Sequence, residues 1–312
     1  MGKGTMRSGF VCISGPTNAG KSTLMNALVG QKLAIITPKP QTTRNRIMGI
    51  HTVGGKGQIV FVDTPGFHRA ENALGKRMNR VAVRSLLDTD LALLVVDVTL
   101  DLSRGEGAIS PRNLNAVKQV EASGLPVVVA LNKVDKVPRK ELLLPLLAAY
   151  EECMSPAAMV PLSARKSDGL KQLESHLFEL LPEGDRLYPE DMISDQPERF
   201  LAAEIIREKL IMVTKEELPY STAVQIESWK EVENRKGDVV VHLSGIIHVE
   251  RESQKGIVIG KGGLRLKEVG ERARLELERM LENRVYLKLF VRVEKNWSGD
   301  PRRLDKLGYR EE

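Results

Sequence analysis

The chain has little cysteine, no long hydrophobic run and no large excess of charge, and each shortage excludes something. Two cysteines, Cys12 and Cys153, give no disulfide framework. The longest apolar runs, such as residues 91–96, are broken by charge well short of a bilayer-spanning length, so no transmembrane helix is expected. The N-terminus lacks the apolar core of a secretory signal, and Met6 stands where a myristoylation motif needs Ser or Thr. A cytoplasmic protein is the expectation. The formal net charge of +6 hints mildly at an anionic partner. Its distribution is more informative. Residues 1–185 hold 23 basic and 17 acidic side chains, residues 186–250 hold 8 and 13, and residues 251–312 hold 16 and 11. A nucleic-acid surface in the second half therefore belongs to its last sixty or so residues.

What is present begins with Gly15-Pro16-Thr17-Asn18-Ala19-Gly20-Lys21-Ser22, which fits the G-x-x-x-x-G-K-[ST] phosphate-binding loop. Glycines at both ends let backbone N–H groups turn inward around a diphosphate, and the helix starting near Lys21 adds its positive dipole end. Lys21 would reach the β- and γ-phosphates, and the Ser22 hydroxyl would ligate Mg²⁺. The context agrees: residues 10–13 read as a buried strand, and Leu24, Leu28 and Val29 give the following helix an apolar stripe.

Asn132-Lys133-Val134-Asp135 names the base as guanine. Guanine sets N1–H and N2–H₂ donors side by side, and the Asp135 carboxylate can accept both; adenine offers no such pair and would leave the charge unmatched. Asn132 would bond the base or brace the loop, and the Lys133 stem would pack over the ring. The motif follows a buried strand at 127–131, at the strand end where open α/β sheets bind ligands.

Between these motifs lie the groups that sense a third phosphate. A strand over 59–62 ends at Asp63-Thr64-Pro65-Gly66-Phe67. Asp63 would hold Mg²⁺ through water, and the Gly66 N–H would touch the γ-phosphate. In Pro40-Gln41-Thr42-Thr43-Arg44, Thr43 is the expected Mg²⁺ ligand, with Thr42 its competitor. Lys21, Gly66 and Thr43 form the expected catalytic set. Ser163-Ala164, after a short strand at 159–162, could set an N–H on guanine O6. Phe67 occupies the place of a water-orienting glutamine, so intrinsic hydrolysis is expected to be slow. Asn18 either braces the loop or binds K⁺ beside the phosphates, with carbonyls of residues 36–41 completing the shell.

The first domain is expected to span 1–185 and to end after a helix at 170–181, with 186–199 a proline-marked polar linker. From there the periodicity changes. A helix over 200–212 precedes strands at 221–229 and 238–250, the second with Val239, Val241, Leu243, Ile247 and Val249 on one face. A short helical turn at 254–259 and a long helix at 264–281 lead to a last strand. In that strand Val285, Leu287, Leu289, Val291 and Val293 face in, with Tyr286, Lys288, Phe290 and Arg292 opposite.

This α-β-β-α-α-β order, with Gly260-Lys261-Gly262-Gly263 between the adjacent helices, resembles a type II KH domain over 200–295. Such a turn lets backbone approach a single-stranded nucleic acid, and the helix N-terminus after it favours phosphate. Lys261, Arg265 and Lys267 supply charge, and Ile257, Val258 and Ile259 would cover unstacked bases. Residues 296–312 form a basic tail whose Trp297 and Tyr309 serve either as stacking platforms or as part of a frayed terminus.

Taken together, the chain resembles Era-type GTPases over essentially its whole length, on the motifs just quoted. The resemblance implies an α/β P-loop GTPase domain, with a mixed, mostly parallel sheet and helices on both faces, followed by the α+β KH domain. It also implies binding of GTP and GDP, Mg²⁺, the small (30S) ribosomal subunit and the 3′ end of its 16S rRNA, a role in subunit assembly, and a peripheral contact with the inner membrane. A monomer is expected. The alternatives are an RNA-modifying GTPase of the same superclass and a membrane-bound signalling GTPase.

Overall fold

The computed structural model describes residues 5–66, 72–214, 218, 221–233 and 237–309. Phe67, and with it the expectation of slow hydrolysis drawn from that residue, lies outside them.

The first domain runs β1 (Arg7–Ser14), α1 (Lys21–Val29), β2 (Ile47–Val53), β3 (Gly57–Asp63), α2 (Ala73–Leu87), β4 (Leu91–Asp97), α3 (Val98–Leu102), α4 (Pro111–Glu121), β5 (Val127–Asn132), α5 (Leu143–Met154), β6 (Ala158–Leu162) and α6 (Leu170–Leu180). Its sheet has the order β2-β3-β1-β4-β5-β6, parallel throughout except for the antiparallel β2–β3 pair. Strands covered on both faces read as unbroken apolar runs, as β4 does, and the pleat divides each run between two cores. Val11, Ile13, Leu91, Leu93 and Val95 pack with α1 and α6, whereas Cys12, Ala92, Leu94 and Val96 pack with α4 and α5. Every parallel strand thus delivers its C-terminal loop to one end of the sheet, where the sequence motifs sit.

The segment after α6 is docked along the sheet. Ile193 O accepts from Ile50 N at 2.8 Å, and the Ser194 hydroxyl donates to Met48 O at 2.6 Å. Gln58 Oε1 accepts from the N–H groups of Leu187 and Tyr188 at 3.0 and 2.8 Å. Ile193 and Ser194 therefore satisfy part of the open edge of β2, which would otherwise present unpaired backbone, while Leu187 and Tyr188 are anchored to Gln58 of β3.

The second domain runs α7 (Glu198–Val213), β7 (Thr222–Glu233), β8 (Val239–Val249), α8 (Glu252–Ile259), α9 (Leu264–Leu281), β9 (Arg284–Val293) and α10 (Pro301–Lys306). β8 pairs antiparallel with β7 and parallel with β9. α7 and α9 bury one face of this sheet with Val241, Leu243, Ile247, Val249 and Val285. Two details depart from the alternation read in the sequence. A bulge between Ile226 and Ser228 changes the phase of β7, which continues to Glu233. Val239, expected in the core, is exposed at the strand end.

The C-terminal segment corrects the expectation of a basic tail. Residues 297–309 fold as a 3₁₀ turn, Trp297–Gly299, followed by α10. Trp297 and Leu304 are fully buried and Tyr309 nearly so, packed with Leu74 and Met78 of α2 and with Ala223 of β7. The two rings stack 5.9 Å apart, with the buried Arg44 guanidinium 5.9 and 5.7 Å from them. Rings enclosed this way serve neither as base platforms nor as part of a frayed end. No described helix is long and apolar enough to cross a membrane.

Candidate nucleotide and RNA sites

The loop between β1 and α1 lies flush against its neighbours. Gly15 (φ 139°) and Gly20 (φ 104°) adopt backbone that side chains rarely tolerate, and a Cβ would stand 2.2 Å from Val95 O and 2.3 Å from Asn132 Nδ2 respectively. Ala19 is buried between them, and Thr17 and Asn18 line a cavity of about 720 Å³. Lys21 is folded into the loop, with Nζ 2.9 Å from the carbonyls of both Gly15 and Pro16. Burial lowers its pKa to about 8, against the pull of Asp63.

At the cavity floor the Ser22 hydroxyl donates to Asp63 Oδ2 at 2.7 Å and lies 2.9 Å from Thr43 Oγ1, which is itself 3.4 Å from Asp63 Oδ2. Thr42 turns away: its hydroxyl donates to Lys39 O at 2.8 Å and meets Thr37 Oγ1 at 2.7 Å. The chain turns just before the two threonines, where Gln41 is left-handed (φ 57°). Asp63 is fully buried, and burial raises its carboxyl to about 6 despite the Ser22 hydrogen bond and Lys21. Its Oδ1 has no hydrogen-bond partner among the described residues. A desolvated carboxylate with a bare oxygen, beside two hydroxyls, is a set of hard donors that fits a small divalent cation. Thr64 is anchored by its hydroxyl to Ile13 O at 3.1 Å, and Pro65 is buried. Gly66 passes close to the loop, where a Cβ would lie 2.9 Å from Lys21 Nζ and 3.0 Å from Thr17.

At the other end of the cavity, Asn132 braces the site. Its Nδ2 donates to Ala19 O at 2.8 Å, and its Oδ1 accepts from the N–H groups of Lys133 and Ala164 at 2.8 and 3.0 Å. The Ser163 hydroxyl donates to Asp135 Oδ1 at 2.7 Å and sets the exposed carboxylate at the rim. Val134 packs into the core beneath and holds the turn in place. Lys133 Nζ donates to Asn18 O at 2.7 Å and to Asp97 Oδ2 at 2.5 Å. The sequence reading overlooked Asp97. The available signal was its place at the C-terminal end of a buried parallel strand. It also overlooked α7, whose Met212 lines the cavity while Arg207 and Glu208 bond the backbone of residues 36–42.

In the second domain Gly260 (φ 73°) ends α8, and a Cβ there would meet that of Arg265 at 2.7 Å. Lys261 and Gly262 are exposed, and Gly263 caps the N-terminus of α9. Lys267 is exposed beside Glu271, 3.8 Å away. Arg265, partly exposed, donates to Ile257 O at 2.5 Å, satisfying a carbonyl at the end of α8. One expected contact is corrected: Val258 is fully buried in the core, so of the apolar shelf Ile257 and Ile259 remain to face a base.

Comparison with known proteins follows this geometry. A family model described as 50S ribosome-binding GTPase matches residues 10–133, and a KH domain model matches 217–298. A GTPase Era of Syntrophus aciditrophicus is 48% identical over 98% of this chain and 96% of its own. One from Geobacter sp. strain M21 is 47% identical over 99% of this chain and all of its own. The chain belongs to the Era family of GTPases. A single-substitution variant of Aquifex aeolicus Era bound to GDP and AlF₄⁻ superposes with a TM-score of 0.91, at 40% identity over 97% of this chain and 99% of that one. An Era complex with MgGDPNP and nucleotides 1506–1542 of 16S ribosomal RNA gives 0.90 over the same shares. Full-length likeness to Era, KH domain included, decides against an RNA-modifying or membrane-bound signalling GTPase as the class of this chain.

Proposed function

We propose that this Era-family GTPase binds GTP with Mg²⁺, hydrolyses it, and engages the 3′ region of 16S rRNA through its KH domain in the course of small-subunit assembly. The carrying observation is a cavity lined at one end by Lys21, Ser22 and Thr43, with Asp63 bonded to both hydroxyls, and at the other by Asp135, which is held by Ser163. Ser22, Thr43 and Asp63 would hold Mg²⁺, which would supply positive charge beside the phosphates.

The residues of the chain then divide the work. Lys21 exchanges loop carbonyls for phosphate oxygens, and the N–H groups of residues 15–22 surround the diphosphate. Gly66 offers its N–H to the γ-phosphate. Thr43 follows the third phosphate, because its segment is otherwise held by α7. Asp135 accepts the guanine donor pair, Ala164 N–H serves O6, and the Lys133 stem, fixed by Asp97, covers the ring. Asn18 is the proposed K⁺ ligand through its side-chain oxygen: its amide N–H₂ donates to Pro38 O at 3.1 Å, which brings the side chain beside the carbonyls of residues 36–41 that would complete the shell. Lys261, Gly262, Gly263 and Lys267 form the RNA-facing turn. A ribosomal-RNA partner fits a cytoplasmic place of action, and the peripheral inner-membrane contact and the 30S particle itself complete the reading.

Equilibrium binding tests the nucleotide assignment. The parent chain is expected to prefer GTP over ATP by well over tenfold, and Asp135→Asn to shift preference toward xanthosine nucleotides, because the amide can donate to the added carbonyl. ATP affinity within tenfold of GTP would overturn it.

A further inference from the structure

α7 and α9 cover one face of the β7-β8-β9 sheet; on the opposite face the C-terminal segment covers the end at Ala223 and His248, and the rest, toward Tyr286 and Lys230, is open. That opposite face carries the side chains that alternate outward along β9: Tyr286, Lys288, Phe290 and Arg292. Tyr286 and Phe290 are 50% and 53% exposed, and they are the large aromatic side chains left exposed among the described residues. That exposure is costly unless something covers it, since aromatic rings bury more apolar surface than almost any other side chain.

The register shows what surrounds them. Tyr286 pairs across β8 with His242 and, beyond it, with Lys230 of β7; Lys288 pairs with Ser244 and then Ser228; Phe290 pairs with Ile246. The His242 and Tyr286 rings lie 5.1 Å apart, and the Lys288 ammonium stands 5.4 Å from the centre of the Tyr286 ring. Two rings four residues apart on a strand are separated by about 13 Å, room for more than one base. The cations are Lys230, Lys288 and Arg292, with Arg284 at the end of the strand. The acids beside them are Glu227, 3.9 Å from Arg292, and Glu294, which is engaged by His248 at 3.0 Å.

We propose that this outer face is a second binding surface for single-stranded RNA, in which Tyr286 and Phe290 stack bases while Lys230, Lys288 and Arg292 meet phosphate. The inference rests on the RNA-binding reading of the domain and adds to it a surface on the side of the sheet away from α9 and its glycine turn. Charge decides between occupants. A polyanion neutralises the cations that interleave the rings, whereas an apolar protein surface would strip water from them without return. The two aromatics of the C-terminal segment, Trp297 and Tyr309, are buried and cannot serve, so among the described residues the exposed large rings of the domain are those of β9.

The test is anisotropy with a fluorescent single-stranded RNA of about sixteen nucleotides, the upper end of the span of a single-strand binding fold. Tyr286→Ala/Phe290→Ala is expected to lower affinity at least tenfold, and Tyr286→Phe/Phe290→Tyr, which keeps both rings, to retain it. Because Phe290 also covers Ile246, Phe290→Leu is measured as well; it keeps apolar cover, loses the ring, and should weaken binding by itself. The same changes are made in Lys261→Asp/Gly262→Asp, where they are expected to remove the residual binding. Unchanged affinity in the alanine and leucine variants overturns the proposal, whatever the turn variant does. Unchanged RNA affinity combined with lost co-sedimentation with ribosomal subunits also overturns it, and assigns the face to a protein. If the turn variant alone abolishes all RNA binding, the KH reading stands and this surface falls.

Discussion

Arg207 of α7 donates to the carbonyl of Thr42 at 2.5 Å, which joins the first helix of the KH domain to the segment that carries Thr43. The same guanidinium makes two bonds to Glu204, at 2.7 and 2.5 Å, and both side chains are buried. Arg207→Met would leave the Glu204 charge enclosed without its partner, a change that costs about 3–5 kcal/mol. Replacing both residues with methionine should recover most of that loss. Urea unfolding of the two variants checks this; a single variant within about 1 kcal/mol of the parent would contradict it.

Glu276 of α9 binds Lys32 of the first domain and Lys209 of α7, and Lys32 and Lys209 also bond Glu208, at 2.7 and 2.6 Å. Burial works against its charge, but the bonds from Lys209 and Lys32 outweigh it and hold its pKa below the ordinary glutamate value. A carboxyl depressed in the folded state contributes stability above the unfolded pKa and loses it as pH falls through the folded pKa. Thermal unfolding of the parent and Glu276→Gln should therefore differ by a constant amount above about pH 5 and converge only as pH falls below the ordinary glutamate value and through the depressed folded pKa. A difference that grows on acidification would contradict the assignment.

Trp297 is fully buried, and its indole N–H donates to Ser221 O at 3.2 Å. Trp297→Ala should cost about 3–5 kcal/mol by opening a cavity between α2 and β7. Emission in the parent should be blue-shifted and should move to the red when the C-terminal segment is truncated. An unshifted spectrum would mean the ring is already in water.

How much of this was legible in the sequence follows from the range of each cause. The phosphate loop, the Asn132–Asp135 motif and the outward alternation of β9 are local patterns, and the structure reproduces them. The C-terminal segment was misread because a tryptophan beside lysines looks the same whether it stacks on a base or on Tyr309. What decides is Arg44, Leu74 and Ala223, all far away in the chain. Thr42 and Thr43 could not be separated either, since what distinguishes them is contact with Ser22 and Asp63, which are distant in the chain. The bulge near Ser228 shows that alternation fixes a face only while the register holds, and Val239 that a core-facing position is buried only where something covers it.

Turnover should be faster in KCl than in NaCl at matched ionic strength, with Asn18→Asp altering that difference. Asn18 already reaches from the loop to Pro38 O, where loop carbonyls could complete a monovalent cation site. Equal rates in both salts, with the variant no different from the parent, would reduce Asn18 to a brace.

The central claim joins a nucleotide domain to an RNA-binding turn, and one measurement bears on both. Affinity for an oligonucleotide carrying the 3′ end of 16S rRNA is measured for the parent and for Lys261→Asp/Gly262→Asp, with GTP affinity measured on the same samples. Aspartates at the exposed turn set like charge against phosphate. RNA affinity is predicted to fall at least tenfold while GTP affinity stays within about twofold, as one phosphate-facing turn is lost and the nucleotide cavity is untouched. Undiminished RNA binding by the double variant would contradict the account.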